Sequence, residues 1–485
     1  MMFQARPGLA AILLGCALGG CAVGPRYAPP SPGLLRLPST YGIAVATAAP
    51  IELSVWWSQF DDAMLSELIE KATVANLDIA VSRARLVQAR EQLIQSRASL
   101  LPALTGSAGA GQTAINAPKT TTSYGGFSVA SGGKSSTTQL SLGLDATWQV
   151  DVFGGLRRGV ESAQASRDAA AFNLAAVRTS VAGEVATNYI EARLAQARLK
   201  IARDTLRNQD DNLQIAQWRV EAGLAPASDA EQARAQRAQT EATLPLLETN
   251  YTSAVNRLGV LTGQAPSALR ARMDAPGPIP RGPEGVAAGI PADTLRQRPD
   301  VRAAERNLAA ATAQIGVAEA QLYPALTLPG SLTATAARLG GPATITGQAF
   351  ANVGQAIFEG GRLHSQVRAA RAGADGALAT YKQTVLLGLE EVENAIQAFE
   401  SAKARQVSLA VALEASDNAA SLARSEYRTG RIDFLTLLQS EQSLLSARDS
   451  LASAQTDQAL ALVRLYLALG GGWQPAAPEK VGSSS

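Results

Sequence analysis

The sequence predicts a mainly α-helical chain with a small β part, in which long coiled helices pack side by side as a helical barrel and a few strands contribute to a transmembrane β-barrel completed by further copies. Three observations carry this. The chain is written twice in tandem; each copy holds one helical pattern far longer than a globular helix; and each copy encloses a charge-poor Gly/Ser/Thr segment.

The first 20 residues read as a signal peptide. Arg6 is a short positive region, and Leu9 to Leu18 is an apolar stretch too short to span a bilayer. Leu18-Gly19-Gly20-Cys21 follows, small residues before a thiol, and resembles the bacterial lipoprotein signal box. Cys21 is therefore the expected lipidation site, beginning an N-terminal segment over 21–60. Cys16 would leave too short an apolar stretch. Ala22, in place of Asp, implies release to the outer membrane in lipoproteins of this kind.

The first repeat is expected over 61–274 and the second over 291–471, joined by a Pro/Gly-rich linker at 275–290 and followed by a tail at 472–485. The matches run in one order. Asn76-Leu77-Asp78 pairs with Arg298-Pro299-Asp300, Gly154-Gly155 with Gly360-Gly361, Gly223 with Gly430, and Gly263 with Gly470.

In each repeat a helix comes first, as over 61–101, where Leu65, Leu68, Ile69 and Ala72 fall at helical spacing. Pro102 and Pro324 end these helices, since the ring removes a donor and crowds the preceding turn. A β-hairpin follows, at about 102–153 in the first repeat and 324–358 in the second. Leu140, Leu142, Leu144, Ala146 and Trp148 alternate with polar or small residues, the period of a strand with one apolar face. Asn116 to Ser136, polar and Gly-rich, is read as an exposed connection between strands. Gly154, Gly155, Gly360 and Gly361 form the corners at which the chain turns into the long helices.

Those helices, over 157–222 and 362–429, are each about 100 Å long at ~1.5 Å per residue. Return helices over 227–262 and 434–469 are shorter, so two short helices end to end would match one long one. Arg298-Pro299-Asp300 reads mainly as a helix start, with Pro in the first turn and Asp at the positive helix end.

Composition excludes several functions. A net charge of +2, with 17% charged residues, gives no clustered cationic surface for nucleic acid. The single histidine, His364, and two cysteines, both within the first 21 residues, leave no Cys/His metal cluster or catalytic pair. The chain is expected not to be an enzyme, and to carry no metal and no cofactor beyond a covalent lipid on Cys21.

Four strands cannot close a barrel, and within lipid an open edge leaves backbone groups unpaired at several kcal/mol each. Two hairpins therefore imply either no membrane insertion or a barrel shared among copies, with twelve strands for three copies.

Cys21-Ala-Val-Gly-Pro-Arg-Tyr27, Trp56-Trp57-Ser-Gln-Phe60, Arg298-Pro299-Asp300-Val301, Asp151-Val-Phe-Gly-Gly-Leu-Arg157 and Ile357-Phe-Glu-Gly-Gly-Arg362 together resemble the lipoprotein, NodT-like branch of the TolC-type outer-membrane efflux factors, over residues 21 to about 471. The resemblance implies a homotrimer with a twelve-stranded outer-membrane barrel and a periplasmic twelve-helix tunnel. It implies a periplasmic adaptor and an inner-membrane pump, commonly proton-driven and of the RND type. The channel would export small molecules such as drugs or toxic organics without performing chemistry. An outer-membrane duct for type I protein secretion and a purely structural coiled-coil lipoprotein are the alternatives. In related channels Tyr, Arg and carboxylate contacts near the periplasmic turn close the aperture. Tyr427, Gly430 and Asp433 match that pattern and, with Arg428 and Arg431, are the gate candidates, Asp433 and Arg431 being expected to help hold the tip closed by contacts within or between subunits. Thr436 and Gln439 stand where some members are acidic.

Overall fold

In the computed structural model, residues 22–30, 53–283, 285, 295–338 and 341–473 are described. Cys21, the signal peptide, part of the linker and most of the tail lie outside them. The chain divides into two compact units. One holds 1–28, 88–167 and 306–378, and the other 29–87, 168–305 and 379–485.

The first unit is built on a five-stranded antiparallel sheet. Its order is β1 (Ala103–Tyr124), β2 (Phe127–Val150), β3 (Ala325–Ala336) and β4 (Ala343–Ala349), with β5 (Asn352–Gly354) also pairing with β3. The expected polar connection at 116–136 is instead strand. β1 and β2 stay paired up to Tyr124↔Phe127, and Gly125 and Gly126 close the hairpin at φ +60° and +89°. Two successive positive φ values make the tight turn whose twist matches its strands, so Gly-Gly extends the ladder. A bulge between Ala117 and Thr120 accommodates Pro118, which cannot donate to a ladder.

The second hairpin, expected over about 324–358, has an interrupted outer strand. Phe350 N donates to Pro329 O at 2.9 Å, but Pro329 has no N–H to return. Pairing resumes only at Asn352↔Thr327.

The second unit is helical. The expected helix over 61–101 is two, α1 (Ala63–Ala75) and α2 (Leu77–Ala98). The break is Asn76, whose Oδ1 accepts from the amides of Asp78 and Ile79 at 2.9 and 3.2 Å, a side-chain cap that opens a new helix. The long helices α3 (Gly155–Glu221) and α7 (Arg362–Arg428) have 67 residues each. The first return helix divides into α4 (Ala227–Glu241) and α5 (Leu244–Leu261), because Pro245 withholds a donor in the first turn of α5. Its counterpart α8 (Phe434–Ala468) is continuous, and α6 (Pro299–Ala320) opens the second repeat.

The core of this unit buries Leu65, Leu68, Ile69, Val185, Tyr189, Leu258, Leu462 and Tyr466. Trp56 is fully buried and stacks on Tyr466 with ring centroids 5.5 Å apart. Tyr189 donates to Asp62 Oδ2 at 2.8 Å, while Asp62 Oδ1 caps α1 through the Leu65 amide at 3.0 Å. Arg193 donates to the Tyr189 hydroxyl and to Ala275 O at 2.9 Å, fastening the start of the linker to α3.

Candidate functional site

The sheet has two chemically distinct faces. Antiparallel register puts Leu104, Ala108, Leu142, Leu144, Trp148, Leu328, Leu332 and Ile345 on one face. The opposite face carries Thr105, Ser107, Ser141, Asp145, Thr147, Ser331, Thr333, Thr335 and Thr346. Close approaches agree. A Cβ placed on Gly106 would touch Leu144 at 3.7 Å, and one on Gly143 would meet Ser107 Oγ at 2.7 Å and Thr333 Oγ1 at 3.8 Å.

Leu142 is 64% and Ile345 70% exposed, so among the described residues nothing covers the apolar face at these positions. The band from Leu140 to Val150 spans about 33 Å along the strand at ~3.3 Å per residue, or about 24 Å when tilted near 45°, the height of an outer-membrane apolar belt. At one end Trp148 Nε1 donates to Leu100 O at 3.0 Å, and Phe153 stacks on Tyr323 at 4.7 Å. Aromatic rings with one polar end suit a membrane–water interface.

The corners lie where sequence placed them. Gly154 has φ +81°, and Gly360 and Gly361 have φ +58° and +87°, left-handed conformations that turn the chain without Cβ strain. Asp151 caps α3, accepting from the amides of Leu156 at 3.1 Å and Arg157 at 2.8 Å. Pro102 and Pro324 each stand immediately before a strand.

The residues after Cys21 are seated at the first corner. Val23 N donates to Phe153 O at 3.1 Å, and Arg158 donates to Val23 O at 3.2 Å and Gly24 O at 3.1 Å. Gly24 has φ +87°, and a Cβ there would lie 2.5 Å from Gly316 Cα, so only glycine fits the crossing.

Arg298, Pro299 and Asp300 do more than start a helix. Asp300 Oδ1 accepts from the Val301 amide at 2.9 Å. Arg298, buried, pairs with Asp300 at 2.7 Å and Glu391 at 2.6 Å and donates to Ala468 O at 3.0 Å. Asn76 Nδ2 likewise donates to Leu261 O at 2.9 Å. Both donors satisfy carbonyls that a helix end leaves without an internal partner, so α5 abuts α2 and α8 abuts α6. Sequence aligned Asn76 with Arg298 and expected short helices end to end, but not the side-chain bonds that join them.

At the far reversal, Gly223 and Gly430 have φ +69° and +74°. The amides of Leu224 and Arg431 bond back to Arg219 O at 2.8 Å and Glu426 O at 2.9 Å, the same cap in both repeats. Tyr427 is buried with Phe434, Leu437, Ala216 and Ala233. Burial pushes its hydroxyl pKa up; the Arg219 charge opposes this and the Asp229 charge adds to it.

Among the described residues of one chain, Asp433 and Arg431 make no ion pair at the tip. Asp433 contacts its own helix, accepting from the Thr436 amide at 2.9 Å as the cap of α8, and hydrogen bonding from the Thr436 side chain and then its amide lowers the Asp433 pKa. Arg428 and Arg431 are exposed and form no ion pair among the described residues. A contact joining the repeats comes from Arg219, four residues before Gly223. It donates to Tyr427 O at 2.8 Å, with its guanidinium 4.7 Å from the ring centroid. Gln442 Nε2 adds a bond to Gln236 Oε1 at 3.0 Å.

An exposed apolar belt on a two-faced sheet, joined in one chain to helices of 67 residues, defines an outer-membrane channel with a helical tunnel. The chain belongs to the outer membrane efflux protein family, whose sequence model matches residues 68–264 and 290–471. It is 34% identical to nodulation protein T of Rhizobium leguminosarum bv. viciae, over 97% of this chain and 94% of that one. It is 30% identical to the pyoverdine export outer membrane protein OpmQ of Pseudomonas aeruginosa, over 94% and 95%. The solved outer-membrane channel OprN superposes with a TM-score of 0.83 at 36% identity, covering 94% of this chain and all of that one. This chain is an outer-membrane efflux channel with a periplasmic helical tunnel.

Proposed function

We propose that three copies of this chain close one barrel and one helical tunnel, forming the passive exit duct of a tripartite efflux pump. The observation that carries this is the open sheet. β1 and β4 end it on either side, while its apolar face stands uncovered. Unpaired edges are not tolerated in lipid, and twelve strands make a closed, even-numbered antiparallel barrel.

A periplasmic adaptor would join the duct to an inner-membrane pump of the RND type, with small organic toxicants and drugs as cargo. Relatives named for solvent, toluene and antibiotic efflux support that substrate class. Cys21 would carry the lipid. The seating of Val23 and Gly24 beside the aromatic end of the apolar band supports this, since acyl chains insert at an interface of that kind. The reversal at Tyr427, Arg428, Gly430, Arg431 and Asp433 would be the periplasmic aperture, with the Arg219–Tyr427 contact as its latch.

The test is the mass of the detergent-purified protein, together with its conductance in planar bilayers. A three-copy complex that conducts is expected. A protein that stays monomeric and passes no current would reject the reading.

A further inference from the structure

We infer that Asp145 sets the charge selectivity of the barrel lumen, as a carboxylate ring that favours cations over anions. The inference rests on the closed-ring reading above.

Asp145 pairs in register with Thr105 on β1 and Ser331 on β3. It lies on the polar face, because a Cβ on Gly143 would sit 3.9 Å from Asp145 Oδ2 and 2.7 Å from Ser107 Oγ. The side chain is exposed. Its neighbours on that face are hydroxyls, amides and glycines, and no salt bridge reaches it among the described residues. Within the belt, no other acidic or basic residue occurs in 103–112, 138–150, 325–336 or 343–354. Lys119 and Lys134 stand beyond the belt, toward the hairpin tip.

An unpaired charge on a membrane strand is tolerated on the water-filled side and costly on the lipid side. Cyclic symmetry would repeat Asp145 at one height around the lumen. Rings of Asp or Glu attract cations and repel anions, with a reach set by the Debye length, about 8–10 Å near physiological salt. Nothing else charged on this face of the belt offsets the ring. It would therefore act on ions and on charged solutes, ammonium-bearing organic cations among them.

The experiment is the reversal potential of the purified full-length protein in planar bilayers under a KCl gradient. The wild type is compared with Asp145→Asn and Asp145→Glu. The wild type should prefer K⁺, and Asp145→Asn should lower the cation-to-anion permeability ratio about twofold or more. Asp145→Glu should restore it. At about 1 M salt, where the Debye length falls to about 3 Å, wild type and Asp145→Asn should converge. A conducting wild type whose ratio is unchanged by Asp145→Asn overturns the inference and leaves the closed ring standing. A wild type that passes no current removes the ring, and the inference with it.

Discussion

Arg219 and Tyr427 join the ends of the two long helices, with the guanidinium donating to the tyrosine's own carbonyl at 2.8 Å and lying 4.7 Å from its ring centroid. One side chain thus caps the end of α7 and covers the face of a buried ring. Below the tip, Arg198 of α3 pairs with Asp449 of α8 at 2.7 Å, a further tie between repeats. Each reversal is also braced internally, by Arg237 with Asp210 and by Arg424 with Glu441. The two hairpins can therefore separate as braced pairs once the contacts between them are lost.

Replacing Arg219 by alanine should loosen that junction. A charged hydrogen bond with a partly exposed cation–π contact is worth about 1–2 kcal/mol, enough to shift a two-state equilibrium roughly tenfold. Single-channel recording should show more frequent or larger openings than wild type. Asp433→Ala should instead cost about 1 kcal/mol of helix stability with less effect on opening, since Asp433 bonds only within α8. Equal opening by both variants would contradict this division of roles.

The splice at Asn76 makes two demands on one amide. Asn76→Asp keeps the oxygen that caps α2 but turns an acceptor toward Leu261 O in place of a donor. A loss of about 1–3 kcal/mol is expected, larger than for a cap substitution alone. Arg298→Ala should cost a similar amount, by orphaning Ala468 O. Thermal unfolding of the detergent-solubilised protein measures both.

Adjacent strand positions should respond oppositely to the same substitution. Leu142→Arg places a charge on the apolar belt and should destabilise membrane folding by about 2–4 kcal/mol near the midplane. Ser141→Arg, on the polar face, should fold normally and reduce conductance. Folding into liposomes monitored by heat-modifiable gel mobility separates the two.

Alkaline pH should weaken the helical unit in a specific window. Burial pushes Tyr189 and Tyr466 up to about 12. Between pH 10 and 12 the unfolded chain loses these protons while the fold retains them. Stability from these groups is thus fully present below pH 10 and falls by about 1.4 kcal/mol per pH unit for each tyrosine across the window. Tyr466→Phe should reduce that slope, measured by thermal unfolding at stepped pH. An unchanged slope would mean that Tyr466 does not titrate differently on unfolding.

The duplicated plan was legible in sequence because its signals are local. Proline and glycine punctuation, the alternation over Leu140 to Trp148 and the sustained helical period each depend on a few neighbouring residues. The Tyr124-Gly125-Gly126-Phe127 turn was equally local, and the polar composition around it hid a strand that stands clear of lipid. What the sequence by itself determined is the order of elements, the two corners and the periodicity that assigns each strand residue to a face.

Only the tertiary structure decided which residues meet. Asn76 finds Leu261, Arg298 finds Ala468 and Arg219 finds Tyr427 across separations of 185, 170 and 208 residues. A helix period says which face a side chain occupies, not which carbonyl of another helix ends beside it. The cap that Asp433 makes on α8 is by contrast local, since an Asp at a helix start accepts from an amide three residues on.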